Sequence, residues 1–386
     1  MVSIEQVDEM IPCYPAEHCD CGGVLGEFKL KGRHQVYEIP EVRYQIKEYQ
    51  IHEGCCPSCQ KTIKGSLPVG VGKRGFGLRV HSLLSICVTE YRMSRRQAQK
   101  FLKAIFGLPI SVGCVSNTEA RSSEALAPVY ENIETRLKQS EIVHLDETGF
   151  RQENRSGWAW IKVNQEATYF KLDFSRGKKL AQSLIGGIPF LVVTDRYPAY
   201  DYLPQEHHQV CWAHLKRDFK RISERVASAG LIGRALLKAY GRLFAFIHSG
   251  HQERWLFEKK SKKRLRRIKN QLLSALKAGT QNGHLKTQRT CQKILDCGAS
   301  LWRFLEIPLA PATNNLAERQ LRPLVIAKKL SFGTQSNRGS RFIERTFSVM
   351  MTCQQQGKSF FAFIQKALQA HFTGLEAPKL FLEPAT

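Results

Sequence analysis

Residues 141–220 constrain the fold most, because there the hydrophobic pattern changes from a helical to a strand-like period. Three strand-like segments come first, then a helix-like segment from Lys178 to Leu184, then two more strand-like segments. The strand-like segments are Ile142–Asp146, Trp158–Val163, Thr168–Asp173, Phe190–Asp195 and Gln209–His214. Strands that alternate with helices predict an α/β domain with a mixed sheet flanked by helices.

The charge of the chain narrows the class of partner. The 386 residues include 58 lysines and arginines against 34 aspartates and glutamates, a formal net charge of +24. Such an excess attracts polyanions, and nucleic acid is the commonest polyanion in cells. The densest basic run, residues 259–269, fits a solvated helix face and a phosphate contact equally well. Charge alone does not distinguish a DNA-processing enzyme from a DNA-binding protein.

Hydropathy excludes two other classes of protein. An apolar fraction of 42% is enough for buried cores and excludes wholesale disorder. No apolar run reaches the ~18–20 residues that a membrane span needs. The N-terminus is acidic and has no apolar stretch, so it is unlike a secretory signal. We therefore expect a soluble, cytoplasmic protein.

Two pairs of potential metal ligands lie within the first sixty residues, and two residues separate the members of each pair. The proposed ligands are His18, Cys21, Cys56 and Cys59. Such pairs form tight turns whose side chains converge on a tetrahedral Zn²⁺. Segments 36–40 and 42–51 alternate like strands, so the pattern predicts a structural zinc ribbon. The neighbouring Cys19 and Cys55 leave the ligand set open, and a cluster of free thiols is the alternative.

Three acidic residues are candidates for metal-dependent chemistry. Asp146 and Asp195 each end an apolar strand, where an ionised carboxylate is rarely buried without a partner. Glu318, in a predicted helix, is the candidate third ligand. Mg²⁺ or Mn²⁺ would relieve the repulsion among such carboxylates. Two metal ions about 3.5–4 Å apart would support phosphoryl displacement, as in an RNase H-like nuclease.

The region before the sheet is predicted to be helical. Ser94 caps a helix from Arg95 to Phe106, and Ser111 caps a second helix after a short turn. This helix-turn-helix pattern fits either DNA contact or packing in a bundle. Asn117, Thr118 and Arg121 of the second helix are the candidate DNA contacts.

Four ordered motifs resemble those of the IS66-family insertion-sequence transposases. They are His144–Phe150, Thr194–Tyr200, Cys211–Arg217 and Asn314–Pro323. The segment Phe332–Arg341 is similar to the family's sequence after its catalytic glutamate, and residues 18–59 are similar to its zinc-binding domain. The resemblance extends over roughly residues 17–365.

The resemblance implies a DDE transposase with an RNase H-like core. Asp146, Asp195 and Glu318 would bind two Mg²⁺ or Mn²⁺ ions for cleavage at the element ends and for transfer of the 3′-OH into target DNA. Trp212 would stack on a splayed base, and the other implied DNA contacts are His214, Lys216, Arg217, Arg319 and Arg322. The implied partners are element ends, target DNA, further copies in a synaptic complex and accessory proteins of the element. The protein would act at the bacterial nucleoid.

Together these patterns predict a multi-domain α/β chain. The predicted parts are a zinc ribbon (1–65), a helical region (66–140), the first part of the RNase H-like core (141–217), a basic helical insertion (218–305), the last part of the core with Glu318 (306–372) and a tail (373–386). Two alternative functions stay open: a non-catalytic or domesticated DNA-binding protein, and an RNase H-like nuclease that does not join strands.

The zinc prediction is tested by metal analysis and by substitution. We expect purified protein to contain zinc, and we expect a chelator or Cys59→Ser to unfold residues 1–65, because site formation and folding are coupled. Cys13→Ser, which changes a cysteine outside the two pairs, is the control and should retain the metal. Protein without zinc would contradict the prediction.

Overall fold

The computed structural model describes residues 1–71, 75–248, 259–307 and 309–381. These residues form twelve α-helices and two sheets. The strands are β1 (Glu53–Cys55), β2 (Thr62–Lys64), β3 (Ile142–Gln152), β4 (Arg155–Val163), β5 (Thr168–Asp173), β6 (Leu191–Thr194) and β7 (His208–Val210). The helices are α1 (Leu78–Thr89), α2 (Arg95–Phe106), α3 (Val112–Ala125), α4 (Ala127–Lys138), α5 (Lys178–Ile185), α6 (Trp212–Ser223), α7 (Ala227–His248), α8 (Lys259–Thr280), α9 (Leu285–Leu295), α10 (Asn315–Ser331), α11 (Asn337–Gln355) and α12 (Phe360–Thr373).

The N-terminal segment differs from its predicted structure. Its strands are the short antiparallel β1 and β2, which flank the turn of the second cysteine pair. The predicted strands 36–40 and 42–51 are wrong, because the structure has no strand there. Tyr37, Ile39 and Ile46 are 74–83% exposed, so the alternating apolar residues have no core to pack against.

The predicted helix caps are confirmed in α2 and α3. Ser94 and Gln97 form a reciprocal capping box, and Gly107 ends α2 in the left-handed region at φ 66°. The Ser111 hydroxyl accepts a hydrogen bond from the amide of Cys114. Helix α3 packs against α1, α11 and α12, and Thr118 is buried against His81. Thr118 therefore cannot contact DNA in this structure, whereas Asn117 is exposed.

The larger sheet confirms the predicted mixed α/β architecture. Its strand order is β5-β4-β3-β6-β7; β3 is antiparallel to β4 and parallel to β6, and β7 is parallel to β6. Helices α4, α10 and α11 pack on the sheet and share its main hydrophobic core. The last strand is shorter than predicted, because Cys211 caps α6 and Trp212 begins that helix.

Helices α6 to α9 have a second hydrophobic core of their own. The helical insertion begins at Trp212 and ends before Ala312. Its two ends meet, because the Trp212 amide donates a hydrogen bond to the Ala312 carbonyl over 3.0 Å. Among the described helices, none is both long and apolar enough to cross a lipid bilayer.

Substitution of two glycines of α7, Gly233 and Gly241, tests how closely α6 and α7 pack. A Cβ on Gly233 would lie 2.1 Å from the backbone nitrogen of Ser223, whereas a Cβ on Gly241 would have no neighbour within 4 Å. We expect Gly233→Ala to lower the free energy of unfolding by at least about 1–3 kcal/mol. The matched Gly241→Ala should raise it by roughly 0.5–1 kcal/mol. Denaturant unfolding measures both, and equal effects of the two variants would contradict the close packing.

Candidate active site

Asp146 and Asp195 are aligned at the carboxyl-terminal edge of β6. The prediction that Asp146 ends its strand is wrong, because β3 continues past Asp146 to Gln152, paired with β4. In the parallel ladder of β3 and β6, His144 pairs with Val193. Continuing this register by two residues aligns Asp146, in β3, with Asp195, the first residue after β6. Because side chains alternate along a strand and paired residues share a face, both carboxylates lie on the same face of the sheet.

Glu318 is held near this edge by the residue that caps its helix. Asn314 is fully buried; its side-chain amide donates to the Leu145 carbonyl over 2.7 Å, and its Oδ1 accepts from His144 Nδ1 over 2.9 Å. Its backbone amide donates to Cys211 Sγ over 3.1 Å. Glu318 lies in the first turn of α10, and its amide donates to the Asn314 carbonyl. The start of α10 is therefore fixed to β3 and to the end of β7.

The electrostatic environment couples the three predicted acids. Burial, followed by the negative charge of Glu147, raises the pKa of Asp146 to about 7. Asp195 and Glu318 add smaller repulsive contributions to the same shift. The acids of this site therefore raise the pKa of Asp146 in addition to the effect of its burial.

The structure does not bring the three carboxylates into one tight cluster. In the described part of the chain, the one group of three metal-binding side chains whose ligand atoms all lie within 4.8 Å is Cys211, His214 and Glu318. Glu318 Oε1 accepts a hydrogen bond from Arg217 Nη2 over 3.0 Å and lies 3.6 Å from His214 Nδ1. Glu318 thus contacts α6, while Asp146 and Asp195 face each other across the two strands.

A buried ionic network supports the two aspartates, and sequence reasoning missed it. Glu147 accepts hydrogen bonds from Arg176 and from the Tyr200 hydroxyl, the latter over 2.6 Å. The Arg176 guanidinium lies over Trp158 and over Tyr197, at 4.2 and 3.7 Å from the ring centroids. The Tyr197 amide donates to Asp195 Oδ1 over 2.8 Å. The only sequence signal was the position of both tyrosines in the Thr194–Tyr200 motif.

The predicted base-stacking role of Trp212 is wrong for this structure. The indole is fully buried in the insertion core, packs against Trp302 and Phe304, and donates its Nε1–H to the Leu301 carbonyl. As the first residue of an amphipathic helix, Trp212 points inward and anchors α6.

The predicted phosphate contacts are distributed over α6 and α10. His214 is half-buried and accepts a hydrogen bond at Nε2 from Arg217, while Lys216 is exposed with its ammonium over the Tyr240 ring. Arg319 and Arg322 are exposed on α10. His214, Lys216 and Arg217 lie on α6, whereas Arg319 and Arg322 lie on α10, the helix that contains Glu318. The DNA contacts of these five residues remain predictions.

The predicted zinc ligands are not gathered into one group. His18, Cys21 and Cys59 are exposed, and Cys56 is half-buried. Hydrogen bonds from Cys59 lower the pKa of the Cys56 thiol, and hydrogen bonds from Cys21 lower the pKa of the Cys19 thiol. The donor types suit zinc, and a lowered thiol pKa favours the thiolate that zinc binds. In the first pair Cys19, rather than His18, contacts Cys21, so the choice of ligand there stays open.

The raised pKa of Asp146 predicts a pH-dependent stability effect in the absence of divalent cations. Aspartate in the unfolded chain has a pKa near 3.9, whereas Asp146 in the folded protein has a pKa of about 7. The free energy of unfolding therefore falls as the pH rises from about 4 to 7, because the folded protein must then bury a charged carboxylate. We expect Asp146→Asn to raise the thermal unfolding midpoint, by a margin that widens from pH 4 to pH 7 and is constant above. Asp201→Asn, at an exposed position, is the control. A margin independent of pH would contradict the raised pKa.

Comparison with known proteins places the chain in a family. The family described as "Transposase IS66 family" matches residues 81–341. A relative, an uncharacterized protein y4qI from Sinorhizobium fredii (strain NBRC 101917 / NGR234), is 21% identical over 391 residues, which cover 92% of this chain and 70% of the relative. The family match includes the strands of the larger sheet, the helical insertion and the Asn314–Glu318 segment. The chain therefore belongs to the IS66 family of transposases.

Proposed function

We propose that this chain is a DDE transposase that cleaves DNA at element ends and transfers the 3′-OH into target DNA. The observation that carries the proposal is the alignment of Asp146 with Asp195 across β3 and β6, with Glu318 held nearby by Asn314. Membership of a transposase family supports action on DNA. Asp146, Asp195 and Glu318 would bind the divalent cations that DNA cleavage and strand transfer require.

The sheet supports an RNase H-like core as the scaffold. Three antiparallel strands are followed by two parallel ones, and the first acid lies on the central strand. The second acid follows the neighbouring strand, and the third lies on a helix that packs against β3. The helical insertion separates the last strand from that helix, as the family resemblance implies.

The three acids fit hard divalent cations. Carboxylate oxygens are preferred ligands of Mg²⁺ and Mn²⁺. Burial raises the pKa of Asp146 most, and the neighbouring carboxylates raise it further, which a bound cation would oppose. Asp146, Asp195 and Glu318 would hold two such ions. When bound, the ions lower the pKa of an attacking water or hydroxyl and stabilise charge on the leaving oxygen.

The chain's own cations would position the DNA strand. Arg217 forms an ion pair with Glu318 and is exposed, so its guanidinium would also bind a DNA phosphate beside Glu318. Arg319 and Arg322 are exposed one and four residues after Glu318, within the same helix. His214 and Lys216 extend this basic surface along α6.

A second basic surface lies on the insertion, between α7 and α8. Its charged lining residues are Lys238, Arg242, Lys260, Lys263, Arg264, Arg266 and Arg267. Among the residues that the structure describes, no acidic side chain lines this groove, so it suits the phosphate backbone of DNA in a sequence-independent manner. We infer that element ends and target DNA contact both surfaces, within an assembly of several copies at the bacterial nucleoid. Accessory proteins of the same element would join that assembly.

Substitution of the acids tests the proposal. We expect Asp146→Asn or Glu318→Gln to lower Mg²⁺-dependent nicking of labelled element-end DNA by at least about 100-fold, as is typical when a group that acts in the transition state is lost. Salt-dependent DNA binding should change little, because the basic surfaces are intact. Asp201→Asn, an exposed acid beyond the Thr194–Tyr200 motif, is the matched control and should keep wild-type nicking. Unchanged cleavage by either acid variant would overturn the assignment.

The same assay separates the alternative functions, with Asp195→Asn as the reference for background. Nicking and joining by the wild type, both absent in Asp195→Asn, would support the transposase. Nicking without joining would favour a stand-alone nuclease. Binding without nicking would favour a non-catalytic DNA-binding protein.

A further inference from the structure

A second set of metal-binding side chains adjoins the acidic site and includes one of its members. Cys211 Sγ, one ring nitrogen of His214 and a Glu318 oxygen all lie within 4.8 Å of one another. His214 Nδ1 lies 3.6 Å from Glu318 Oε1. Cys211 and His214 are a single helical turn apart at the start of α6, so they present their side chains on one side of the helix.

The chemistry of this set differs from that of the three carboxylates. A thiolate and an imidazole favour Zn²⁺ over Mg²⁺, whose preferred ligands are oxygens. With ligand distances of ~2.0–2.3 Å, two ligands of a tetrahedral zinc ion lie about 3.5 Å apart. The 3.6 Å between His214 and Glu318 is already close to this separation. Small side-chain movements would bring the Cys211 sulfur to the same spacing.

His214 has an unused ligand atom in this position. Its Nδ1 is buried and has no hydrogen-bond partner in the described part of the chain, an arrangement that costs free energy unless a partner binds. Its Nε2 accepts from Arg217 over 2.7 Å, which places the ring proton on Nδ1. Zinc at Nδ1 would displace that proton, and protonation of Nε2 would then end the hydrogen bond with Arg217.

The backbone holds the three ligands in place. The Cys211 amide donates to the Thr194 carbonyl over 2.8 Å, next to Asp195, and the Asn314 amide donates to Cys211 Sγ. Glu318 follows Asn314 by one helical turn. The site therefore rests on the ends of β6 and β7 and on the first turn of α10, rather than on exposed loops.

We propose that Cys211, His214 and Glu318 bind Zn²⁺ with one coordination position left for water, and that zinc inhibits the enzyme by withdrawing Glu318 from Asp146 and Asp195. The inhibitory part rests on the proposed function, whereas the zinc site itself does not. Arg217 supplies positive charge beside Glu318, and zinc would replace it. The two N-terminal ligand pairs, at residues 18–21 and 56–59, are separate from this site in sequence.

Cobalt and zinc titrations of the full-length protein test the site. Co²⁺ bound to a thiolate has a charge-transfer absorption band, so its intensity counts cobalt–sulfur bonds. We expect Cys211→Ser to lose one equivalent of bound Co²⁺ or Zn²⁺ relative to the wild type. Cys297→Ser, a cysteine whose thiol bonds only a helix carbonyl, is the matched control and should bind as the wild type does. Because both variants keep the N-terminal cysteines, the difference reports Cys211 alone.

The nicking assay supplies the second readout. Each variant's own nicking rate in Mg²⁺ alone is the reference for its zinc titration, so an altered contact with the Asn314 amide does not enter the comparison. The zinc concentration that halves nicking should be at least about 10-fold higher for Cys211→Ser than for the wild type or Cys297→Ser, given the loss of a ligand. Equal metal binding by Cys211→Ser and the wild type would overturn the site, and equal zinc inhibition would overturn the inhibitory role.

Failure of the site and failure of the proposed function are distinguishable. If no protein nicks DNA under any condition, the proposed function fails, and the titrations still decide whether the zinc site exists. Circular dichroism establishes that each variant folds. If Cys211→Ser does not fold, His214→Gln replaces it in the titrations, where loss of the same equivalent supports the site and full retention overturns it.

Discussion

The hydrogen bonds of Asn314 hold the candidate site together. One buried side chain joins the first turn of α10 to two consecutive residues of the central strand, 169 and 170 positions earlier in the chain. Its backbone amide contacts Cys211, 103 positions earlier. Because unpaired polar groups of a buried amide would cost free energy, this side chain has a strong preference for a single position. Because Glu318 lies one helical turn after Asn314, the position of Asn314 also determines where Glu318 lies relative to both aspartates.

Local patterns in the sequence were sufficient to predict the framework of the sheet and the helices beside it. The order of strands and helix in residues 141–220, the caps at Ser94 and Ser111 and the position of Asp195 directly after β6 all follow from short-range signals. Such signals report alternation and capping, which depend on neighbouring residues in the chain. The parallel pairing of β3 with β6 then follows from the position of α5 between the strands along the chain.

The sequence predictions are wrong where the structure of a residue depends on contacts with residues far away in the chain. Segments 36–40 and 42–51 alternate as strands do, yet no second surface covers them. Trp212 lies in a basic motif that suggests contact with DNA, but the insertion core, built from residues up to ninety positions away, buries its ring. Glu147 was weighed only as a weak competitor of Asp146. Arg176 forms an ion pair with Glu147 and the Tyr200 hydroxyl donates a hydrogen bond to it, and no pattern in the sequence distinguishes an acid with such partners from a neighbour without them.

The entry and exit of the helical insertion meet at the hydrogen bond between the Trp212 amide and the Ala312 carbonyl. A segment whose two ends touch and whose interior has its own core behaves as a module, since a change in its length leaves the geometry of its attachment point unaltered. Natural relatives are therefore free to exchange, shorten or enlarge these helices during evolution while the chemistry beside them is preserved. Divergence in this module would change the basic groove between α7 and α8 and leave the strands that carry the two aspartates in place.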